Sequence, residues 1–406
     1  MATNIKTYSS GIKDDKIRSD CYVELSIKNS GGIKLRLKSK VESMYGESIR
    51  TLINDILKTF EIKNASILVE DYGALPFTLA ARIENAIKRA QPKTKKEFLI
   101  PFNKKSLYKT SRDRLRRSRL YLPGNEPKYF INAGLHEPDG IILDLEDSVA
   151  PSQKDAAQLL VRNALRSVDF YGGERMVRIN QLPKGLDDLK YIVPHNVHVI
   201  LIPKCESAEQ VKQVDNKVAS IKKEKNIKSD IYLMPIIESA LGVIKSYEIA
   251  SASKNNCALA VGLEDYTADI GTQRTEEGRE SFFARSMVVN ASRAAGIQPI
   301  DTVYSDVTNM DGLRLSVIEA KSLGFEGKGC IHPRQVKIVH EAFAPSEQEI
   351  EKAKKIVLAF EDATKKGLGV VSVGSKMIDP PVVKRAEKII NLALLNNLIS
   401  KDWRRK

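Results

Sequence analysis

Two rhythms of apolar and polar positions run along the chain, and they change near Arg116. Before it, CYVELSIK and IKLRLK alternate apolar with polar residues, as half-buried strands do, with NSGG between them as a hairpin turn. A helical period follows. It brings Tyr45, Ile49, Leu52, Ile53, Ile56, Leu57 and Phe60 to one face. ASILVED predicts a third strand and PFTLAARIENAIKRA a closing helix. Residues 1–91 thus predict a small α+β domain with a modest core of its own.

From Arg116 short apolar runs recur, separated by amphipathic helical stretches. They are RLYLPG, GIILDLED, RMVRIN, HVILIPK, IYLMPIIES, CALAVGLED, IDTVYSDV and GKGCIHP. Alternating β and α units imply a parallel sheet, and eight of them imply a closed (β/α)8 TIM barrel over residues 116–345. An open doubly wound sheet is the other arrangement with this alternation. It is disfavoured because no GxGxxG opens the first helix and polar residues end nearly every run. Residues 346–406 add a charged helix, a Gly-rich extended piece and a final helix, a lid or oligomerisation extension.

Composition narrows the class. No run of eighteen uncharged apolar residues is present, so no membrane span is expected. The first twenty residues lack the apolar stretch of a secretory signal. Cys21, Cys205, Cys257 and Cys330 are far apart and form no CxxC pair. Reduced thiols and a cytoplasmic location fit that pattern. The formal net charge of +14 is concentrated in a basic run from Lys93 to Arg119, opposed only by Glu97 and Asp113. With few aromatics and no recognition motif, this run predicts a solvated linker over 92–115 rather than a nucleic-acid surface. A flexible chain of that length would reach roughly 25–30 Å.

Candidate chemistry gathers at the strand ends, where βα loops build the site of such a barrel. Asp144, Glu146 and Asp147 close the second run, Arg178 and Asn180 the third, and Lys204 and Glu206 the fourth. Glu238 closes the fifth, Glu264 and Asp265 the sixth, and the eighth leads to His332, expected as a loop residue. Carboxylates crowded at one mouth need a cation among them. A hard ion such as magnesium takes one or two carboxylates plus substrate oxygens and water. Glu238 and Asp265 follow wholly apolar runs, which leaves them little other reason to be charged. Arg178 can grip a carboxylate in bidentate fashion. Metal and arginine together suit a 2-oxo or 2-hydroxy acid and the oxyanion of carbon–carbon cleavage.

These segments resemble a known family. RRSRLYLPGNEPKYF, IILDLEDSVAPSQKDAA, RMVRIN, VILIPKCES, MPIIESALGV, VGLEDYTADIG and KGCIHPRQV are similar to the HpcH/HpaI aldolase and citrate lyase β-subunit family over about 116–395. VESMYGESIRTLINDILKTF with ILVEDYGALPFTLAARIENAIKRA resembles the citrate lyase γ-subunit, an acyl carrier protein. The resemblance implies Glu238 and Asp265 as magnesium ligands, with manganese not distinguished. It implies Arg178 as a catalytic and substrate-binding residue beside Glu238, and Asp144, Glu146 and Asp147 around the metal shell. It also implies Asp379, in GSKMIDPP, as a lid acid acting in proton transfer in a neighbouring subunit, and nucleotide contact by the IHPRQ loop.

The implied reaction is retro-aldol cleavage of a citryl-thioester to oxaloacetate and acetyl-thioester. A homo-oligomer (trimer or hexamer) and a citrate lyase α-subunit are the implied partners, with no nucleic acid and no membrane. A free CoA ester such as malyl-CoA or citramalyl-CoA remains open as substrate of a related lyase or thioesterase, and so does a non-enzymatic carrier role. The γ family carries phosphoribosyl-dephospho-CoA on a serine in an ESGD-like segment. The matching segment here is IRSDC, which places Arg18 at that position and leaves Ser19 as the candidate attachment residue, with Ser9 and Ser10 behind it.

Overall fold

The computed structural model describes residues 6–14, 16–365, 367, 370–373 and 376–404. The N-terminal domain consists of β1 (Tyr8–Ser10), β2 (Cys21–Ile27), β3 (Ile33–Ser39), α1 (Glu42–Thr59), β4 (Ala65–Asp71) and α2 (Pro76–Ala90). Its sheet order is β1-β2-β4-β3. The expected hairpin across NSGG is therefore corrected: β4 lies between β2, which it meets antiparallel, and β3, which it meets parallel. The reason is burial. β4 is mostly buried and takes the centre, whereas β3 carries Lys34, Arg36 and Lys38 and suits an edge. Strand β1 had no signal in the alternation. In α1 the buried face is Gly46, Ile49, Ile53, Ile56 and Leu57, while Tyr45 is exposed.

Eight parallel strands then close into the barrel. They are β5 (Ser118–Pro123), β6 (Gly140–Asp144), β7 (Glu174–Arg178), β8 (Val199–Ile202), β9 (Tyr232–Ile237), β10 (Ala258–Val261), β11 (Gln298–Val303) and β12 (Gly327–Cys330). Each of the eight apolar runs supplies one stave. The helices between them are α3 (Pro127–Phe130), α4 (Lys154–Ser167), α5 (Gly185–Ile192), α6 (Ala208–Glu224), α7 (Ala240–Ile244), α8 (Ser246–Ser251), α9 (Leu263–Asp269), α10 (Arg279–Ala294), α11 (Met310–Leu323) and α12 (Arg334–Phe343). The C-terminal extension is α13 (Glu347–Lys365), a β13–β14 ribbon (Val371–Val373 and Lys376–Ile378) and α14 (Pro380–Leu395), with a small core of its own around Ile356, Val357, Ile378 and Ile390. Among the described residues no helix is long and apolar enough to cross a membrane.

The basic segment is not a flexible tether, which corrects the solvated-linker expectation. It is laid against the barrel as a strap. The Phe98 amide donates to Glu84, and Arg166 donates to the Ile100 carbonyl at 2.6 Å. The Asn103 amide donates to the Arg166 carbonyl at 2.8 Å, and the Tyr108 hydroxyl to the Gly173 carbonyl at 2.6 Å. Arg116 is wholly buried against Glu174 at 2.7 Å. Much of the positive charge that read as solvated thus satisfies carbonyls and carboxylates of the barrel.

The N-terminal domain is likewise docked. Its α2 packs on α4, and Glu84 meets Arg162 at 2.7 Å with both side chains fully buried. Arg82 holds Asp20 through two hydrogen bonds and extends to the Asn125 carbonyl, in the loop after β5. Breaking a buried pair by removing one partner costs about 3–5 kcal/mol. Arg162→Met is expected to lose that much stability in chemical denaturation and to open residues 92–115 to limited proteolysis. Arg162→Met with Glu84→Gln should recover much of it.

Candidate active site

The carboxyl ends of the staves converge on one cavity of about 380 Å³, walled in part by Tyr121, Asp144, Asp147, Arg178, Glu238 and Asp265. Asp144 ends β6 and Arg178 ends β7, in register on neighbouring strands. That register lets Arg178 clamp Asp144 through Nε at 2.7 Å and Nη2 at 2.8 Å, while Nη1 reaches Glu146 at 3.0 Å. The amides of Glu146 and Ser148 and the Ser148 hydroxyl also donate to Asp144. Burial alone would raise the Asp144 carboxyl, but the Arg178 bonds and charge outweigh it and hold the group below the usual range. Glu146 accepts from Gln181 as well.

Lys204 follows β8 with a left-handed φ of 45°. Its Nζ stands 3.4 Å from Glu146, 3.2 Å from Asp147 and 3.5 Å from Asp265. Burial lowers its affinity for a proton, but these acids more than reverse that, so the ammonium is held charged. The Lys204 amide donates to Glu238 at 3.2 Å. One residue thus touches both proposed metal ligands. Sequence reasoning named Lys204 only as a strand-end residue, although an IPK run facing an acid-ringed mouth carried the signal.

Glu238 is 5% exposed and has no ion-pair partner among the described residues. It packs against Gly262, where a Cβ would come within 2.7 Å of the Glu238 Cγ, so the chain needs glycine at that approach. Burial first, then repulsion from Asp265 and Glu146, pushes its carboxyl up to about 8 despite Arg178. Asp265 lies in the first turn of α9, and Glu264 is turned to Arg274 at 2.6 Å. Among the described residues no group of three or more His, Cys, Asp or Glu is arranged to hold an ion. A cation here would therefore have Glu238 and Asp265 from the protein and its other ligands from substrate or water, the pattern a hard divalent ion accepts.

The remaining expected residues fall elsewhere. Asp379 caps α14, accepting from the Val382 amide at 3.2 Å, and is not in the cavity wall. His332 is a loop residue whose Nδ1 accepts from the Arg334 amide, while Ile331 before it does line the cavity. Ser19 sits in the turn before β2 with φ 60°, its amide donating to the Tyr72 carbonyl. All four cysteines are buried and free.

Residues 117–333 match the family model for HpcH/HpaI aldolase/citrate lyase, and residues 18–90 match an acyl-carrier model described as malonate decarboxylase delta subunit (MdcD). The chain is 39% identical to the citrate lyase subunit beta of Leuconostoc mesenteroides subsp. cremoris, over 71% of this chain and 97% of that protein. It is 32% identical to the mitochondrial citramalyl-CoA lyase of Mus musculus, over 68% of this chain and 86% of that protein. The structure of CitE from Mycobacterium tuberculosis in complex with magnesium, acetoacetate and coenzyme A superposes with a TM-score of 0.57 at 27% identity, covering 70% of this chain and 99% of that one.

The Glu238 environment generates a pH signature. A carboxyl raised from 4.5 to about 8 binds more protons folded than unfolded. Stability of the metal-free protein should therefore fall as pH rises from about 4.5 through about 8, by on the order of a few kcal/mol. Glu238→Gln should flatten that slope and raise metal-free stability at pH 8.5, as read by thermal or denaturant unfolding.

Proposed function

We propose, since the chain belongs to the HpcH/HpaI aldolase/citrate lyase family, that it is a carbon–carbon lyase of the citrate lyase β type carrying its own acyl-carrier domain. The observation that carries this reading is the pair Glu238 and Asp265. They follow adjacent staves, line one cavity, and leave Glu238 buried without an ion-pair partner among the described residues.

The reaction cleaves a citryl-thioester to oxaloacetate and an acetyl-thioester. A magnesium ion held by Glu238 and Asp265 would supply the positive charge that steadies the carbinol oxygen as it gives up its proton and becomes the keto oxygen of oxaloacetate. Arg178 spends two of its five N–H donors on Asp144 and faces Glu146 as an ion pair, which leaves donors for the substrate and fixes their direction. Asp144, Glu146 and Asp147 act by holding Arg178 and Lys204 rather than by meeting the ion themselves. As the bond between carbinol and acetyl carbons breaks, the carbinol hydroxyl gives its proton to a base. The acetyl-thioester enolate then takes one up. Asp379 of a neighbouring subunit is the acid–base group we assign to that transfer, which calls for a homo-oligomer.

Ser19 is the proposed attachment residue for phosphoribosyl-dephospho-CoA. It is part-exposed, in a tight turn, and next to Asp20, which Arg82 ties to the loop after β5. With the carrier domain docked there, the prosthetic arm rather than the domain would travel to the mouth. An α-type transferase partner and a cytoplasmic location complete the proposal, the latter in keeping with four buried free thiols.

A panel of citryl-CoA, citramalyl-CoA and malyl-CoA with Mg2+ tests the reaction. Citryl-CoA should be cleaved fastest. Glu238→Gln and Asp265→Asn should each lose at least about a hundredfold in kcat while the far-UV spectrum is kept. Full turnover by Glu238→Gln would sink the metal-assisted reading. Separately, intact mass of the chain from its native host should show one prosthetic adduct that Ser19→Ala removes, with free citryl-CoA still cleaved.

A further inference from the structure

The cavity wall contains two cations, and they are not alike. Arg178 is committed to Asp144 and Glu146. Arg119, on β5 two residues before Tyr121, is 1% exposed and has no carboxylate partner among the described residues. Its Nη1 meets the Met234 sulfur at 3.2 Å, its Nη2 meets the Asp301 backbone carbonyl at 3.3 Å, and its Nε has no hydrogen-bond partner. The Asp301 carboxylate is already taken, by Lys328 at 2.7 Å and Arg285 at 3.1 Å. Met234 belongs to the apolar barrel interior with Ile142, Met176, Ile236 and Ile300. A guanidinium in such surroundings, held by a thioether and one carbonyl, is costly to keep without an anion. A methionine or leucine would fill the same space.

The substrate chemistry offers an anion. Citryl, citramalyl and malyl thioesters share a carbinol and the carboxylate beside it. They differ in one substituent on the carbinol carbon: –CH2–COO⁻ in citryl, –CH3 in citramalyl and –H in malyl. The shared part is what Glu238, Asp265 and Arg178 are arranged to meet. The second carboxylate of citryl, which becomes the far carboxylate of oxaloacetate, needs a cation of its own. We propose that Arg119 receives this second carboxylate from the floor of the cavity and thereby selects the citryl group over citramalyl and malyl. This rests on the lyase reading above and assigns its specificity.

The test compares wild type, Arg119→Met and Arg119→Lys as full-length chains with Mg2+. Arg119→Met should lower kcat/KM for citryl-CoA by on the order of a hundredfold or more. It should leave citramalyl-CoA within about threefold, so that the preference narrows or inverts. Arg119→Lys should recover part of the citryl activity. Independently of turnover, calorimetric titration of the Mg2+-loaded wild type should show tighter binding of oxaloacetate than of pyruvate, an advantage Arg119→Met loses. The inference is overturned if Arg119→Met keeps the wild-type citryl preference, or if it loses both substrates equally. It is equally overturned if wild type binds pyruvate as tightly as oxaloacetate, a comparison that stands even should the variant fail to fold. A wild type that cleaves none of the three thioesters would sink the lyase reading instead and leave the oxaloacetate–pyruvate comparison to judge Arg119.

Discussion

The clamp of Arg178 on Asp144 is the interaction on which the mouth of the barrel depends. It joins the last residues of two neighbouring staves, and the third nitrogen of the same guanidinium takes hold of Glu146. Lys204 does the complementary work from β8, spreading one positive charge over Glu146, Asp147 and Asp265. Two fixed cations thus balance most of a ring of acids. The remainder falls on Glu238, buried and opposed by Asp265 and Glu146. A site that keeps its own arginine and lysine busy, and leaves one buried carboxylate in electrostatic debt, is arranged for a further cation to enter. The same clamp makes Arg178 rigid, so its remaining donors point in directions set by the strands rather than by solvent.

The docking of the N-terminal domain changes what a fused carrier can do. With α2 buried on α4 and the strap hydrogen-bonded along its length, the domain has no slack with which to visit a distant site. The Asp20–Arg82–Asn125 chain ties the turn holding Ser19 to the first loop of the barrel mouth. Fusion in this arrangement sets a constant distance between Ser19 and the cavity. Were Ser19 to carry the proposed arm, that would raise the effective concentration of an arm-borne group without any motion of the domain.

Much of this was legible from the residues, and the failures share a cause. The eight staves stood out because wholly apolar runs ending in polar residues have few other structural uses, and Glu238 and Asp265 came with them. The β2–β3 hairpin was misjudged because alternation reports which face of a strand is buried, not which strand lies beside it. Here the parallel β3–α1–β4 unit put β4 in the centre. The strap was misjudged because composition cannot tell a solvated arginine from one facing a carbonyl. Arg116 and Arg119 sat inside a basic run and passed for part of it, yet both are buried. Arg178 was singled out for the substrate, without sight of its clamp on Asp144, since that partner is thirty-four positions away and only the register brings them together.

The C-terminal extension bears on which site Asp379 can serve. Arg117 precedes β5 and Glu326 precedes β12, so both mark the amino-terminal face of the barrel, opposite the mouth. Asn396, just beyond α14, pairs with Arg117, and Lys388 within it pairs with Glu326 at 2.7 Å. Those two residues are about two helical turns apart. Both are seated on the same face, so α14 runs across the base rather than up the wall. Asp379 caps the far end of that helix and is absent from the wall of the cavity in its own chain. If this aspartate moves a proton in the reaction, the course of α14 points to the mouth of another copy rather than its own. The extension would then join the copies and complete the site at once, so that dissociating the oligomer and removing Asp379 should have the same kinetic consequence.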